Sequence, residues 1–472
     1  MYLLLLPLCF LAAKCTEENA NDRPNIVLIN VDDLGWKDVG FNGSRYYETP
    51  NLDRLAKESV RFTNAYAGAA NCAPSRACMM SGQNTPRHGI YTVGSSERGN
   101  AKTRRIIPTQ NTLELPDEQL TLAETLKKHG YTSCSVGKWH LGDDPRTQGF
   151  DKNVAGTKAG HPKTYFSPYK NPNLPDGPEG EYLTDRITTE AINFITTNKD
   201  KPFFLYLPFF TIHTPLQGKE DLVEKYKKKE KIDGQGRNPN YAAMVETMDA
   251  SVGRILTILD ELKLDNTILI FTSDNGGISF QSRQHPLRAG KGSYYEGGIR
   301  VPLLIRWKTK IKPAWTTDTP VTNMDFFPTL LDLVGLEKPT DKLLDGESLA
   351  NVLLKQEQLE ARPLFWHFPV YLQAYRVGGD ESRDSLFRTR PGSVVRLGDW
   401  KLHQYFEDGA LELYNLKEDI GEKNNLANTK PDKVSELLDV LDDWRSSTRA
   451  PIPTAPNPDY LEGFVPKTKK RG

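Results

Sequence analysis

The sequence has no surplus of either charge: 61 lysines and arginines stand against 61 aspartates and glutamates in 472 residues. That balance excludes bulk attraction to nucleic acid or to an anionic membrane surface, and leaves only local basic pockets. An apolar run long enough to cross a bilayer is also missing. Met1 to Ala13, with Leu3 to Leu6, Leu8, Phe10 and Leu11, falls short of the roughly 18 residues a span requires, and no later stretch reaches that length. The run reads instead as the core of an export signal over residues 1–20, although no basic residue precedes it. Export, most simply to a periplasm, is the expectation. Lys14 just before Cys15 departs from the Leu-Ala-Gly-Cys pattern of bacterial lipoprotein signals and argues against a lipid anchor at Cys15.

Cysteine is scarce. Of five, Cys9 and Cys15 fall in the leader, leaving Cys72, Cys78 and Cys134. Three is too few for a disulfide framework and is odd, so at least one thiol is unpaired or modified. A nucleotide-binding loop is missing as well: Gly290-Lys291-Gly292-Ser293 lacks the Gly-x-x-x-x-Gly-Lys-Ser/Thr spacing.

What is present is a series of apolar strands that each end in polar residues. Ile26 to Val31 reads as a buried β-branched strand opening into Asp32-Asp33. Thr121 and Glu124 form a capping box for a helix from Leu122 to His129, and a strand from Tyr131 to Val136 then delivers Lys138 and His140. Two residues apart on an extended chain, these two face the same way. Phe203 to Phe210 runs into His213, and Ile268 to Phe271 into Asp274-Asn275; a further strand spans Val301 to Ile305. A helix capped at Asn51, a long helix from Tyr241 to Leu262 and a last one from Asp325 to Val334 alternate with these strands. Residues 152–182, rich in Pro, Gly, Asn and Lys, read as a long surface insertion.

The predicted fold is therefore α/β: a mostly parallel central sheet sandwiched by helices over residues 21–343, its crevice outside the carboxyl ends of the strands. Beyond that, residues 344–472 read as a smaller antiparallel sheet plus helix, with strands near 364–368, 393–397, 401–406 and 411–416.

Cys72-Ala73-Pro74-Ser75-Arg76 stands out. Pro74 suits the first turn of a helix, which places Cys72 at an entrance where backbone N–H groups favour an anion, with Arg76 one turn on. Met in isolation, such a string is more often a buried cysteine beside a solvated arginine. Paired carboxylates are likewise commonly a solvated turn. Asp32, Asp33, Asp274 and Asn275 together form a hard oxygen donor set that suits calcium or magnesium, calcium preferred, and is too poor in nitrogen and sulfur for zinc.

Taken jointly and in order, these motifs resemble a type I sulfatase of the alkaline-phosphatase-like superfamily. The resemblance rests on Cys72 to Arg76 with Ser81-Gly82, Asp32-Asp33, Gly137 to Gly142, His213-Thr214-Pro215, Ser273 to Gly277, and Gly290 to Gly292 with Glu296 to Pro302; Leu413 to Leu416 and Asn424 to Leu426 extend it. It implies that a maturation enzyme oxidises Cys72 to formylglycine, whose hydrate is the nucleophile. It further implies that Ca²⁺ is held by Asp32, Asp33, Asp274, Asn275 and the residue at 72. Arg76, Lys138 and Lys291 are expected to offset charge on the sulfate oxygens, His213 to protonate the departing alcohol and His140 to accept a proton from the second hydroxyl.

The expected substrate is a sulfated polysaccharide or oligosaccharide, a class that includes the algal ulvan and carrageenan. His161, Arg283, His285, Arg288 and His367 are candidate sugar contacts, as is the basic loop Arg98 to Arg105. Trp366, Tyr371 and Tyr375 read either as a sugar platform or as core of the small sheet. Alternatives are an arylsulfatase, a phosphate or phosphonate monoester hydrolase on the same fold, or a non-catalytic glycan-binding protein.

Overall fold

The computed structural model describes residues 23–232 and 235–466; the leader, with Cys9 and Cys15, lies outside them. The fold is built on an eight-stranded sheet. From edge to edge its strands are Lys152–Val154, Thr132–Val136, Phe203–Pro208, Asn25–Val31, Thr267–Ser273, Leu303–Arg306, Val60–Phe62 and Trp315–Thr317. Pairing is parallel except where Leu303–Arg306 meets its two neighbours. Asn25–Val31 is the centre, with every residue buried. Strand side chains alternate between faces. Val27, Ile29 and Val31 accordingly pack under the helices Leu183–Asn198 and Pro239–Glu261, whereas Ile26 and Leu28 pack under Leu122–Lys128 and Phe326–Leu333. Met244 and Met248 are core on the first face, Met79 and Met80 on the second.

Local signals place most element ends to within a few residues. The Thr121/Glu124 capping box is formed in full. The helix expected from Asn51 instead starts at Pro50, because proline already suits the first helical position; the Asn51 side chain donates to Asp249 at 2.8 Å. The segment 152–182 differs most from expectation. Its first residues form the edge strand, and Tyr165, Tyr169 and Tyr182 are buried. The Tyr165 hydroxyl reaches the carbonyls of Phe210 and His213 at 2.6 and 2.9 Å, tying the segment down over the strand ends.

The smaller antiparallel sheet has the order Leu364–Phe368, Gly392–Leu397, Trp400–Tyr405 and Leu411–Asn415. Val395, Leu402 and Leu413 on one face meet Leu437, Leu441 and Trp444 of the helix Pro431–Thr448. Trp366, Phe368 and Val394 on the other meet Tyr66, Tyr294 and Ile299 of the large unit. A fully buried ion cluster fastens the two: the Lys401 ammonium lies 2.9 Å from both Glu296 and Glu422, and Arg300 pairs with Glu296 at 2.7 Å. Burial pushes the Glu296 carboxyl up, but Lys401, Arg300 and Arg396 outweigh it and hold the group below its usual range.

Replacing Lys401 by Met strips the buried Glu422 carboxylate of its ammonium and leaves Glu296 to Arg300 alone at contact distance, and is expected to cost about 3–5 kcal/mol in urea unfolding. Lys308→Met, which removes a partly exposed pair with Asp260, is expected to stay within about 1 kcal/mol. Because the folded pKa of Glu296 is depressed, its contribution is present above about pH 4 and is lost on acidification, so the Lys401 variant and the parent converge in stability at low pH.

Candidate active site

Four strand ends deliver the site. Asp32 and Asp33 follow the central strand, Asp274 and Asn275 its neighbour Thr267–Ser273, Lys138 the strand Thr132–Val136, and His213 the strand Phe203–Pro208. Asp33 turns out of the strand in the left-handed region, φ 61°, and its N–H donates to Asp274 Oδ1 at 3.2 Å. The fifth component is the helix Cys72–Ser81, buried along its whole length and entered from the extended residue Asn71. Cys72 is thus the first helical residue, as the sequence predicts.

The Cys72 sulfur lies 3.4 Å from Asp32 Oδ1, 3.8 Å from Asp33 Oδ1 and 3.1 Å from the Lys291 ammonium. Each carboxylate has its own cation. Lys138 Nζ meets Asp32 at 2.5 Å, Lys291 Nζ meets Asp33 at 2.7 Å, and Arg76 grips Asp274 through Nε and Nη2 at 2.8 Å. The remaining arm of Arg76 donates to the Lys138 carbonyl at 2.7 Å. Arg76 is fully buried; its Nε and Nη1 hold Asp274 and the Lys138 backbone, while Nη2, beside Asp274, makes no hydrogen bond.

Lys138 reaches the centre through Asp32, but it and His140 are not alternate residues of a strand. The strand ends at Val136, Gly137 has φ +128° and His140 φ 63°. A Cβ on Gly137 would lie 2.0 Å from the Pro208 carbonyl oxygen, so only glycine permits this bend. His140 is held by its N–H to the Thr157 carbonyl at 2.9 Å, and its Nδ1 is buried with no hydrogen-bond partner.

Crowding sets the electrostatics. Burial raises the Asp32 carboxyl to about 7 against the pull of Lys138, with Asp274 and Asp33 adding to the rise. For Asp33 burial is outweighed by Lys291, His213 and Lys138, and the group sits below its usual range. Burial pushes the Cys72 thiol up to about 12; as a thiol it is protonated at neutral pH and a poor nucleophile. His213 Nε2 stands 3.7 Å from Asp33, and burial followed by the Lys291 charge lowers its imidazole to about 3. Burial and then Lys138, Arg76 and Lys291 hold His140 well below its ordinary value.

The donor set fits a hard divalent cation. Ligand atoms of Asp32, Asp33, Cys72 and Asp274 lie within 4.8 Å of one another. Asn275 donates its amide to Asp33 at 2.8 Å, leaving its buried Oδ1 without a partner and available as a fourth oxygen beside the three carboxylates.

The sugar-contact candidates separate. His161 stacks on His213, ring centroids 5.8 Å apart and planes at 5°. Arg283 and His285 line a cleft of about 370 Å³ with Glu381 and Lys423. Arg288 lines it too, but spends its donors on the Glu381 carbonyl, the Tyr414 hydroxyl and the Glu422 carbonyl, which makes it a strut between the two sheets. His367 is buried in the small unit with Nδ1 on Ser393 and Nε2 on the Pro451 carbonyl, and has no free edge for a ligand. Trp366 and Tyr371 are core, and Tyr375 is exposed. Sequence reasoning missed Tyr165 and Thr157, which fix the His213 and His140 loops; both lie in the aperiodic segment, where no local pattern marks them.

Asp274→Ala would leave the Arg76 guanidinium buried without a counter-charge. In cation-free protein it is expected to lower unfolding stability by about 3–5 kcal/mol, measured by urea titration.

Comparison with known proteins agrees with this arrangement. The Sulfatase family model matches residues 24–336, and the model described as N-sulphoglucosamine sulphohydrolase, C-terminal, matches residues 290–445. The chain is 35% identical to a sulfatase of Formosa agariphila over 95% of its own length and 93% of the relative's. It is also 35% identical to the N-acetylgalactosamine-6-sulfatase of Homo sapiens, over 76% and 71%. Among solved structures, Ps i-CgsB in complex with k-i-k-neocarrahexaose is 30% identical with a TM-score of 0.74, covering 89% of this chain and 92% of that one. With a family match over most of its length and strand-end carboxylates gathered around Cys72, the chain belongs to the sulfatase family and is a sulfuric ester hydrolase.

Proposed function

We propose that this sulfatase removes sulfate from sulfated polysaccharides or oligosaccharides, using Cys72 after its oxidation to formylglycine by a maturation enzyme, and Ca²⁺ held by Asp32, Asp33, Asp274 and Asn275. The observation that carries the reading is the seat of the Cys72 sulfur, 3.4 Å from Asp32 and 3.1 Å from the Lys291 ammonium. The names of the similar proteins support the substrate class: a galactosamine-6-sulfatase and a protein in complex with a neocarrahexaose. The cation, when bound, polarises a sulfate oxygen as a Lewis acid, and formylglycine supplies a hydroxyl where the thiol stands.

The chain's own groups do the rest. Lys138 and Lys291 are short-range ammonium donors that exchange carboxylate partners for sulfate oxygens and offset their charge. Arg76 is a positioning residue that fixes Asp274 and the backbone of Lys138. His213, at the outer side of Asp33, gives a proton to the departing alcohol once the sulfate's negative charge offsets the neighbouring ammonium groups. His140, neutral and with an unpartnered ring nitrogen, accepts the proton that ends the cycle. The division near residue 343 belongs to this reading, with the large unit catalytic and the small one bordering the substrate. So does export to the periplasm. Among the described residues no helix is long and apolar enough to cross a membrane.

Cys72→Ser is expected to lower sulfate release by at least about a hundredfold, and an undiminished rate overturns the formylglycine route. In active protein the peptide holding residue 72 should weigh roughly 18 mass units less than its cysteine form. Chelation should abolish turnover and calcium restore it; activity in cation-free enzyme removes the metal role from the three aspartates.

A further inference from the structure

Beyond the groups at the strand ends, a further guanidinium, that of Arg388, stands beside the backbone of Lys291. Arg388, in the strand Phe387–Thr389, donates through Nη1 to the Lys291 carbonyl at 3.1 Å and through Nε to the Gln373 carbonyl at 3.0 Å. Its guanidinium carbon lies 3.5 Å from the centroid of the Tyr375 ring. Tyr375 is 39% exposed. An exposed phenol, a guanidinium and the backbone of Lys291 therefore follow one another in direct contact along a single wall.

Arg98 joins this wall from the other unit. Arg104, itself buried, donates to the carbonyls of Glu97 and Gly99 at 2.7 and 2.8 Å, the two residues that flank Arg98. Gly99 has φ +88°, and a Cβ there would lie 2.6 Å from Phe387 Cε1. The Tyr371 N–H donates to the Ser96 carbonyl at 2.9 Å. The turn is thus clamped against the strand that carries Arg388. Arg98 is half-buried, and burial together with the Arg388 charge lowers its pKa. Asp380, the acid that acts on Arg388 and Arg376, accepts from the Tyr375 N–H at 2.6 Å. Among the described residues no carboxylate pairs with Arg98. Two like charges held together by a rigid turn, with donors unspent, are a receptor for an anion.

We propose that Arg98, Arg388 and Tyr375 form a second anion subsite, which binds a sulfate or carboxylate on the sugar ring next to the ester being cleaved. The subsite rests on the carbohydrate reading above and narrows it to substrates that carry charge on adjacent rings. It spans both units, with Arg98 from the large one and Arg388 and Tyr375 from the small one.

The test uses the full-length enzyme with carrageenan and chondroitin oligosaccharides of matched length, with and without charge on the neighbouring ring, and 4-nitrophenyl sulfate as a probe that reaches only the cleavage position. Wild type is expected to prefer the doubly charged sugars. Arg98→Ala should lose at least about tenfold more kcat/KM on them than on 4-nitrophenyl sulfate, the loss falling on KM, with Arg98→Lys recovering part of it. Arg388→Lys should shift KM in the same direction, and the melting midpoint of each variant reports that it is folded. Equal losses on sugar and aryl probe, no loss on the sugars, or a wild type indifferent to the second charge overturns the subsite while leaving the carbohydrate reading standing. Turnover of 4-nitrophenyl sulfate with none of any sulfated sugar overturns that reading, and the subsite with it.

Discussion

Three carboxylates, Asp32, Asp33 and Asp274, are held within a few ångströms of one another and of Cys72, away from water. Like charges packed so closely in a dry site repel strongly, and such a group persists only where positive charge is supplied at short range. The protein supplies it three times over, through Lys138, Lys291 and Arg76, each brought from a different part of the chain. The remaining architecture serves to hold these six groups at one end of one sheet. The parallel strands set the depth of the acids, the helix Cys72–Ser81 aims position 72 and carries Arg76, and the loops carry Lys138 and Lys291.

That constraint also explains where the backbone departs from ordinary geometry. Asp33 and His140 adopt left-handed conformations that non-glycine residues seldom take, and Gly137 sits where no side chain fits. Such conformations survive when the surroundings over-determine them, and they gather at functional sites. Here the surroundings are the segment 152–182 and the carbonyls of Phe210, His213 and Thr157, which lock the loops carrying His213 and His140. Rigidity at the floor of the site is thus obtained from a segment that, beyond its short edge strand, has little regular structure.

The smaller unit is more than an appendage. Its sheet is joined to the large one through a buried Glu296–Lys401–Glu422 cluster and through Arg288, and its strand Phe387–Thr389 reaches the backbone of Lys291. A charge-assisted joint of this kind has little tolerance for displacement, since moving either side strands a buried charge. The wall beside Lys291 is therefore composite but stiff.

The linear chain by itself determined the apolar strands, the alternation with helices, the Thr121/Glu124 cap, and the arrival of Asp32-Asp33, Lys138, His213 and Asp274-Asn275 at strand ends. Each of these follows from short-range periodicity and from the rule that parallel strands expose their polar residues at the carboxyl edge. Tertiary structure alone decided which charge meets which: Arg76 turned inward onto Asp274, Arg288 became a strut, and His367 became core. An arginine or a histidine has the same local signature whether it binds a ligand or a neighbour. The difference lies in partners tens to hundreds of residues away, which no window on the sequence contains.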